Sequence, residues 1–246
     1  MKTGLIGAMR EEIQLLEHDI ENLKIHEYGV RKFYEGTIGG NEVVMCLSGW
    51  GKVAAASTAT SLINLFQVDQ LVFIGMAGSL SPNLSIGDIV VADQLVQHDI
   101  DLSKLDIFGP LKPPFHKKFR FSVRPGAQRR ALEAVKQFVY NLHDRKYPGI
   151  NPEYLPKIHI GGIGTGDQFV ASHKGKERIS HHFPELLCTE MEGGAIGQVA
   201  EDYGVPCSVI RIISDNADDD AHDSFTRFLF EDISKISVEI ARLMFV

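Results

Sequence analysis

Four carboxylates and one guanidinium stand where they could move protons. Glu190 and Glu192 flank Met191 at the head of a stretch, EMEGGAIGQVAEDYGVPCSVIRIISD, that ends on Ser214 and Asp215. Arg211 interrupts the apolar run Val209, Ile210, Ile212, Ile213. A charge there needs a partner, because an unpaired buried ion is very costly. Alternation along a strand puts Arg211 and Asp215 on one face. An Asp just past a strand's carboxyl end stands where ligands bind in open α/β sheets. The remaining carboxylate is Glu12. On a helix wheel from about Met9 to Glu21, the residues Met9, Ile13, Leu15, Leu16 and Ile20 form an apolar arc. Glu12 falls inside that arc and Glu11 at its edge. An inward carboxylate is desolvated, which raises its pKa and makes it a better base. The favourable helix dipole accounts for a Glu at either position, but not for the inward direction.

The elements that must position these groups alternate between strand and helix. Residues 2–8 read as a first strand. Residues 31–38 and 42–48 read as a hairpin turning at Gly39-Gly40-Asn41. Ser48-Gly49-Trp50-Gly51-Lys52 opens a small-residue helix, Val53 to Phe66; a glycine turn there can offer backbone N–H groups to a ligand. Trp50, the only tryptophan, is either a core or hinge filler or a pocket wall. Residues 70–75 form an apolar strand suited to a sheet covered on both faces, followed by a small-residue loop, Met76 to Ser79. Further strands are expected from Gly87 to Val96 and from Lys157 to Gly164, and helices from Gln128 to His143 and His173 to His182. Glycines 193, 194 and 197 would each cost a helix about 1 kcal/mol relative to alanine, so a close backbone or ligand is expected there. The last helix, from about Ser224, carries Phe225, Leu229, Ile233, Ile236, Ile240 and Leu243 at helical spacing. The result is an α/β layer fold with a mixed sheet, in a single domain spanning 1–246.

Bulk properties narrow the function. A net charge of −7 argues against a general nucleic-acid binder. Cys46, Cys188 and Cys207 sit in apolar, strand-like runs and read as buried thiols in a reducing compartment. No run approaches a membrane span and the N-terminal apolar stretch is too short for a signal peptide, so a cytoplasmic setting is expected. His181-His182 lacks further ligands at zinc-like spacing and reads as surface. The acidic turn NADDDAHD does not follow a calcium-loop pattern. Residues 102–125 are proline-broken and locally basic: a solvated loop, or a lid or subunit contact.

Six segments in order, IGAMREE at 6–12, SGWGK at 48–52, GDIVV at 87–91, TGDQF at 165–169, TEMEGGAI at 189–196 and RIISDNAD at 211–218, resemble the 5′-methylthioadenosine/S-adenosylhomocysteine nucleosidases of the nucleoside phosphorylase superfamily. The resemblance covers nearly the whole chain. It implies a three-layer α/β/α, nucleoside phosphorylase-like fold, no cofactor and no metal, and a homodimer. It implies that Asp215 protonates N7 of adenine, with Ser214 orienting it, and that Glu12 activates water. Glu192 would hold the ribose 2′- and 3′-hydroxyls, Met191 would pack under the ribose, and Arg211 would pair with Glu192. Phe169 would stack on adenine beside the backbone of Val170. Met9, Trp50 and Phe225 would line the 5′-substituent pocket, and Met76, Gly78 and Glu190 complete the substrate-binding set.

Two residues depart from the family's pattern. Met76 stands where a small hydroxyl residue is usual, and Trp50 where a smaller aliphatic one is usual. The alternatives are a hydrolase of 6-amino-6-deoxyfutalosine, on which Trp50 could stack, a phosphorylase, and a non-catalytic binder like the plant vegetative storage proteins. Against the phosphorylase, Phe73 stands where an arginine is expected.

Overall fold

The computed structural model describes residues 1–101, 120–144, 146–147, 149–151, 154–223 and 233–245. The centre is β5 (Gln70–Ser79), buried along its whole length. It pairs in parallel with β1 (Thr3–Gly7) and β10 (Cys207–Asp215), and at its end antiparallel with β9 (Leu186–Glu190). From β1 the sheet extends through β4 (Asn41–Leu47) and β3 (Arg31–Ile38) to an edge strand, β2 (Glu21–Tyr28). On the other side β9 pairs with β8 (Ile158–Thr165), β8 with β6 (Ile89–Gln97), and β6 with β10 and the short β7 (Arg120–Ser122). Because β10 also pairs with β5, this half of the sheet curls back on itself. The carboxyl ends of β1, β5, β9 and β10 thus come together.

Helices cover both faces. On one face α2 (Lys52–Phe66) and α5 (Gly193–Tyr203) bury Ala55, Ala59, Leu62, Ile196 and Ala200. On the other, α1 (Arg10–Ile13), α3 (Pro125–His143) and α6 (Ile233–Leu243) bury Ile13, Val135, Phe138, Ile236 and Ile240. α4 (His173–His182) covers a smaller apolar cluster through Ile179. The fold is therefore the expected three-layer α/β/α arrangement with a central mixed sheet. All three cysteines are buried and free, and His181 and His182 are exposed. Among the described residues, no helix is long and apolar enough to cross a membrane.

Several local expectations fail for physical reasons. The helix expected over 9–21 stops at Ile13 and continues as a 3₁₀ turn, Gln14–Asp19. A 3₁₀ turn advances about 120° per residue, so the wheel misplaces Leu15, which is 46% exposed. The edge strand β2 was unforeseen. Its sequence, ENLKIHEY, is mostly exposed, and its charges suit an edge that must not recruit another strand. Met76–Ser79 is the end of β5 rather than a loop, held extended by pairing to β10 and β9. The α5 glycines make room for side chains of the sheet rather than for another backbone: a Cβ on Gly197 would meet Leu95 at 2.5 Å and one on Gly194 would meet Thr165 at 2.9 Å. Residues 102–119 of the basic stretch, and Ser224, Phe225 and Leu229 of the expected last helix, lie outside the described residues.

Candidate active site

A cleft of about 380 Å³ opens where these strand ends meet, and both Glu12 and Asp215 line it. Glu12 is 3% exposed. It occupies the third position of α1, from which its side chain turns back over the helix start, as in one half of a capping box. Its Oε2 accepts the backbone N–H groups of Ala8 (2.6 Å) and Met9 (3.0 Å), and its Oε1 accepts that of Met76 (3.2 Å). Burial raises its pKa; the Arg211 charge and these three N–H donors oppose that without cancelling it. The inward reading of Glu12 therefore holds, although the wheel that produced it does not extend past Ile13. Gly75 of β5 lies directly against Glu12 and Arg211, where a side-chain carbon would overlap the carboxylate.

Asp215 ends β10 after a register shift between Ile213 and Asp215 that brings it opposite Gly78. Ser214 donates its hydroxyl to Asp215 Oδ2 (2.7 Å), and the Ala217 N–H donates to Oδ1 (2.8 Å). A Cβ on Gly78 would come within 2.7 Å of Oδ1, so only glycine admits the carboxyl there. Burial raises the Asp215 pKa against both hydrogen bonds. Such a group keeps its proton further toward neutral pH than an exposed Asp.

Arg211 pairs with Glu190 and not with Glu192. Its Nη2 lies 2.7 Å from Glu190 Oε2, its side chain is 1% exposed, and its guanidinium lies 3.8 Å from the centre of the Phe73 ring. Glu190 is the last residue of β9 and points into the same interior as Arg211. It also accepts the N–H groups of Glu192 (3.1 Å) and Gly193 (2.7 Å) and the hydroxyl of Thr165. Glu192, two residues on, is the N-cap of α5 and faces the cleft, where Oε1 accepts the Gly51 N–H at 2.7 Å. Burial first, then the Glu190 charge, push its pKa up to about 8. Burial disfavours the charge on Arg211, but Glu190 and Glu12 more than offset it and raise its pKa. Arg211 thus sits behind the cleft wall, and Phe73 packs beneath it.

The rest of the expected set gathers around the cleft. Met9, Met76, Gly78, Glu190, Met191 and Ser214 line it, and Trp50, Phe169 and Val170 stand on its walls. Trp50 is 72% exposed and Phe169 47%, so these are wall and rim residues and not core filler. Phe225 lies outside the described residues. Residue types alone did not single out Gln168, Thr189 and His222, which also line the cleft. Gln168 and Thr189 fall inside or beside TGDQF and TEME and were within reach of the motif reading. His222 belongs to an acidic run that carried no chemical signal.

Fold and site define an enzyme of nucleoside phosphorylase-like architecture with buried carboxylates, Glu12 and Asp215, lining one cleft. The family model of the Phosphorylase superfamily matches residues 2–244. A crystal structure of the 5′-methylthioadenosine/S-adenosylhomocysteine nucleosidase from Neisseria meningitidis, in complex with methylthio-immucillin-A, is 32% identical, with 99% of this chain and 97% of that chain covered and a TM-score of 0.87. The corresponding nucleosidase of Colwellia psychrerythraea, in complex with adenine, is 32% identical over 100% of this chain and 94% of that chain, with a TM-score of 0.86. The futalosine hydrolase of Helicobacter pylori is 34% identical over 99% and 97% of the two chains, with a TM-score of 0.82. The chain belongs to the phosphorylase superfamily and, within it, to the 5′-methylthioadenosine/S-adenosylhomocysteine nucleosidase family.

Proposed function

We propose that this protein hydrolyses the N-glycosidic bond of 5′-methylthioadenosine, S-adenosylhomocysteine and related 5′-substituted adenosines, releasing adenine. The observation that carries this is the placement of Glu12 and Asp215, both buried and both with raised pKa, in one cleft. Asp215 delivers its proton to N7 of adenine and makes the purine a better leaving group. The sugar gains positive charge as the bond breaks, and the Glu12 carboxylate stabilises it. Glu12 takes a proton from water while the oxygen bonds to the sugar. Acid and base each contribute about 10²–10⁴ in rate. Glu192 accepts the ribose hydroxyls, Met191 packs under the ribose, and Phe169 and Val170 hold the base. Met9 and Trp50, with Phe225, receive the 5′ substituent. Met76 has no hydroxyl to hold water, but its N–H still aims the Glu12 carboxylate. One domain, a homodimer and a cytoplasmic setting go with this assignment.

A second reading, hydrolysis of 6-amino-6-deoxyfutalosine, is favoured by the exposed Trp50 on the cleft wall, a surface for an aromatic 5′ group. One panel tests both. Purified protein is given methylthioadenosine, adenosylhomocysteine or aminodeoxyfutalosine, with and without phosphate. Adenine release without phosphate from the first two is the expected result. Release that requires phosphate, or none from any substrate, would refute hydrolysis; release from aminodeoxyfutalosine alone would make the second reading the correct one.

A further inference from the structure

Three residues from separate segments close a ring beside the cleft without lining it. Lys52 Nζ lies 2.5 Å from Asp99 Oδ1. Asp99 Oδ2 accepts the Asp167 N–H at 2.9 Å, and Asp167 Oδ1 accepts the Lys52 N–H at 2.8 Å. Lys52 is the first residue of α2, where the helix dipole disfavours a cation. Its N-cap, Gly51, supplies no side-chain cap, and Asp167 caps the helix from another loop instead. Gly51 has φ of 88°, and a Cβ there would approach Asp167 Oδ1 to 3.0 Å, so the contact needs glycine. The Lys52 and Asp99 side chains are 17% and 20% exposed. Burial works against charge on Asp99, yet Lys52 and the Asp167 N–H hold its pKa below the usual value.

What the ring joins gives it a purpose. Trp50 comes two residues before Lys52 and Phe169 two after Asp167, and these are the aromatic walls of the cleft. Between Trp50 and Lys52, the Gly51 N–H holds Glu192. We propose that Lys52, Asp99 and Asp167 are positioning residues that fix the separation of the Trp50 and Phe169 walls, and with it the affinity for a 5′-substituted adenosine. They touch no reacting atom. Loss of the ring therefore weakens binding and leaves the chemical step nearly intact. The Lys52–Asp99 pair is charge-assisted and shielded, and Asp167, whose side chain is 48% exposed, is held by two backbone hydrogen bonds; such a closed network holds geometry better than a lone exposed ion pair.

The test uses Lys52→Met and Asp99→Asn, with Lys52→Arg as the conservative control. In its kinetic readout it rests on the nucleosidase assignment. KM for methylthioadenosine is expected to rise about ten-fold in the first two variants, with kcat within about three-fold, and to return most of the way in Lys52→Arg. A second readout needs no turnover: amide hydrogen exchange at residues 50–52 and 167–169 of the free protein is expected to quicken about ten-fold in Lys52→Met and Asp99→Asn. If the wild type leaves methylthioadenosine intact, the assignment fails while exchange still decides the ring. Unchanged exchange, or a loss confined to kcat, overturns the proposal.

Discussion

Replacing Glu192 by Gln should stabilise the protein at alkaline pH while weakening ribose binding. The residue is 6% exposed, and its pKa is raised from 4.5 to about 8 by burial and by Glu190. Each pKa unit corresponds to about 1.4 kcal/mol, so full ionisation of the folded protein costs up to about 5 kcal/mol. Below the unfolded value, near 4.5, the group is protonated in both states and nothing is lost. As pH rises toward 8 the unfolded chain has released a proton that the folded protein still holds, so stability falls. Above the folded pKa no further loss accrues. Gln is neutral at every pH and keeps an acceptor for the Gly51 N–H. Glu12 and Asp215 titrate in both proteins, so their contributions largely cancel in the difference. The two proteins should therefore agree within about 1 kcal/mol at pH 5, and the variant should lead by about 3–5 kcal/mol at pH 8.5. For a chain of this size that is about 10 °C in Tm. Calorimetry at the two pH values decides it. A gap that does not grow with pH, or a variant less stable at pH 8.5, would show that Glu192 is ionised in the fold at ordinary pH and refute the raised pKa.

Further predictions follow the same chemistry. Asp215→Asn should abolish turnover while calorimetric titration still detects nucleoside binding; unchanged turnover would remove Asp215 from the acid role. Glu12→Gln should do likewise and Glu11→Gln should be mild, so equal losses would defeat the distinction between an inward and an outward carboxylate. The pH profile of kcat/KM should be bell-shaped, lost on the acid side as Glu12 takes up a proton and on the alkaline side as Asp215 loses its own, both above the usual carboxylate range. A single-limbed profile is inconsistent with opposed acid and base. Gly75→Ala should push the Glu12 carboxylate aside and lower kcat by about 100-fold or more with little change in KM; a purely structural loss, seen in Tm with kcat intact, would separate Gly75 from the base.

The residues proposed to bear the chemistry were legible because their types are costly where they occur. A guanidinium among isoleucines, a carboxylate on an apolar arc and an aspartate after a buried strand all require an explanation that local propensity does not supply. The helices α2, α3 and α4 and the β3–β4 hairpin followed from periodicity and turn residues, with bounds off by up to a few positions. β2 was invisible because an edge strand with charged residues on both faces has no period-2 pattern to read. Met76–Ser79 misled because small residues resemble a loop until neighbouring strands pair with them.

Local pattern thus specifies which side chains are buried and which segments turn or extend, since those follow from propensity and polarity along the chain. Partnership follows from the folded sheet. Glu190 and Glu192 are two residues apart with the same side chain, and nothing local distinguishes them. The strand end of β9 turns Glu190 inward to Arg211, and the first turn of α5 leaves Glu192 at the cleft. The bulge in β10 sets Asp215 against Gly78, and the ring of Lys52, Asp99 and Asp167 joins residues up to 115 positions apart. Such contacts depend on strand order and register, which bring distant segments together and which no window along the chain contains.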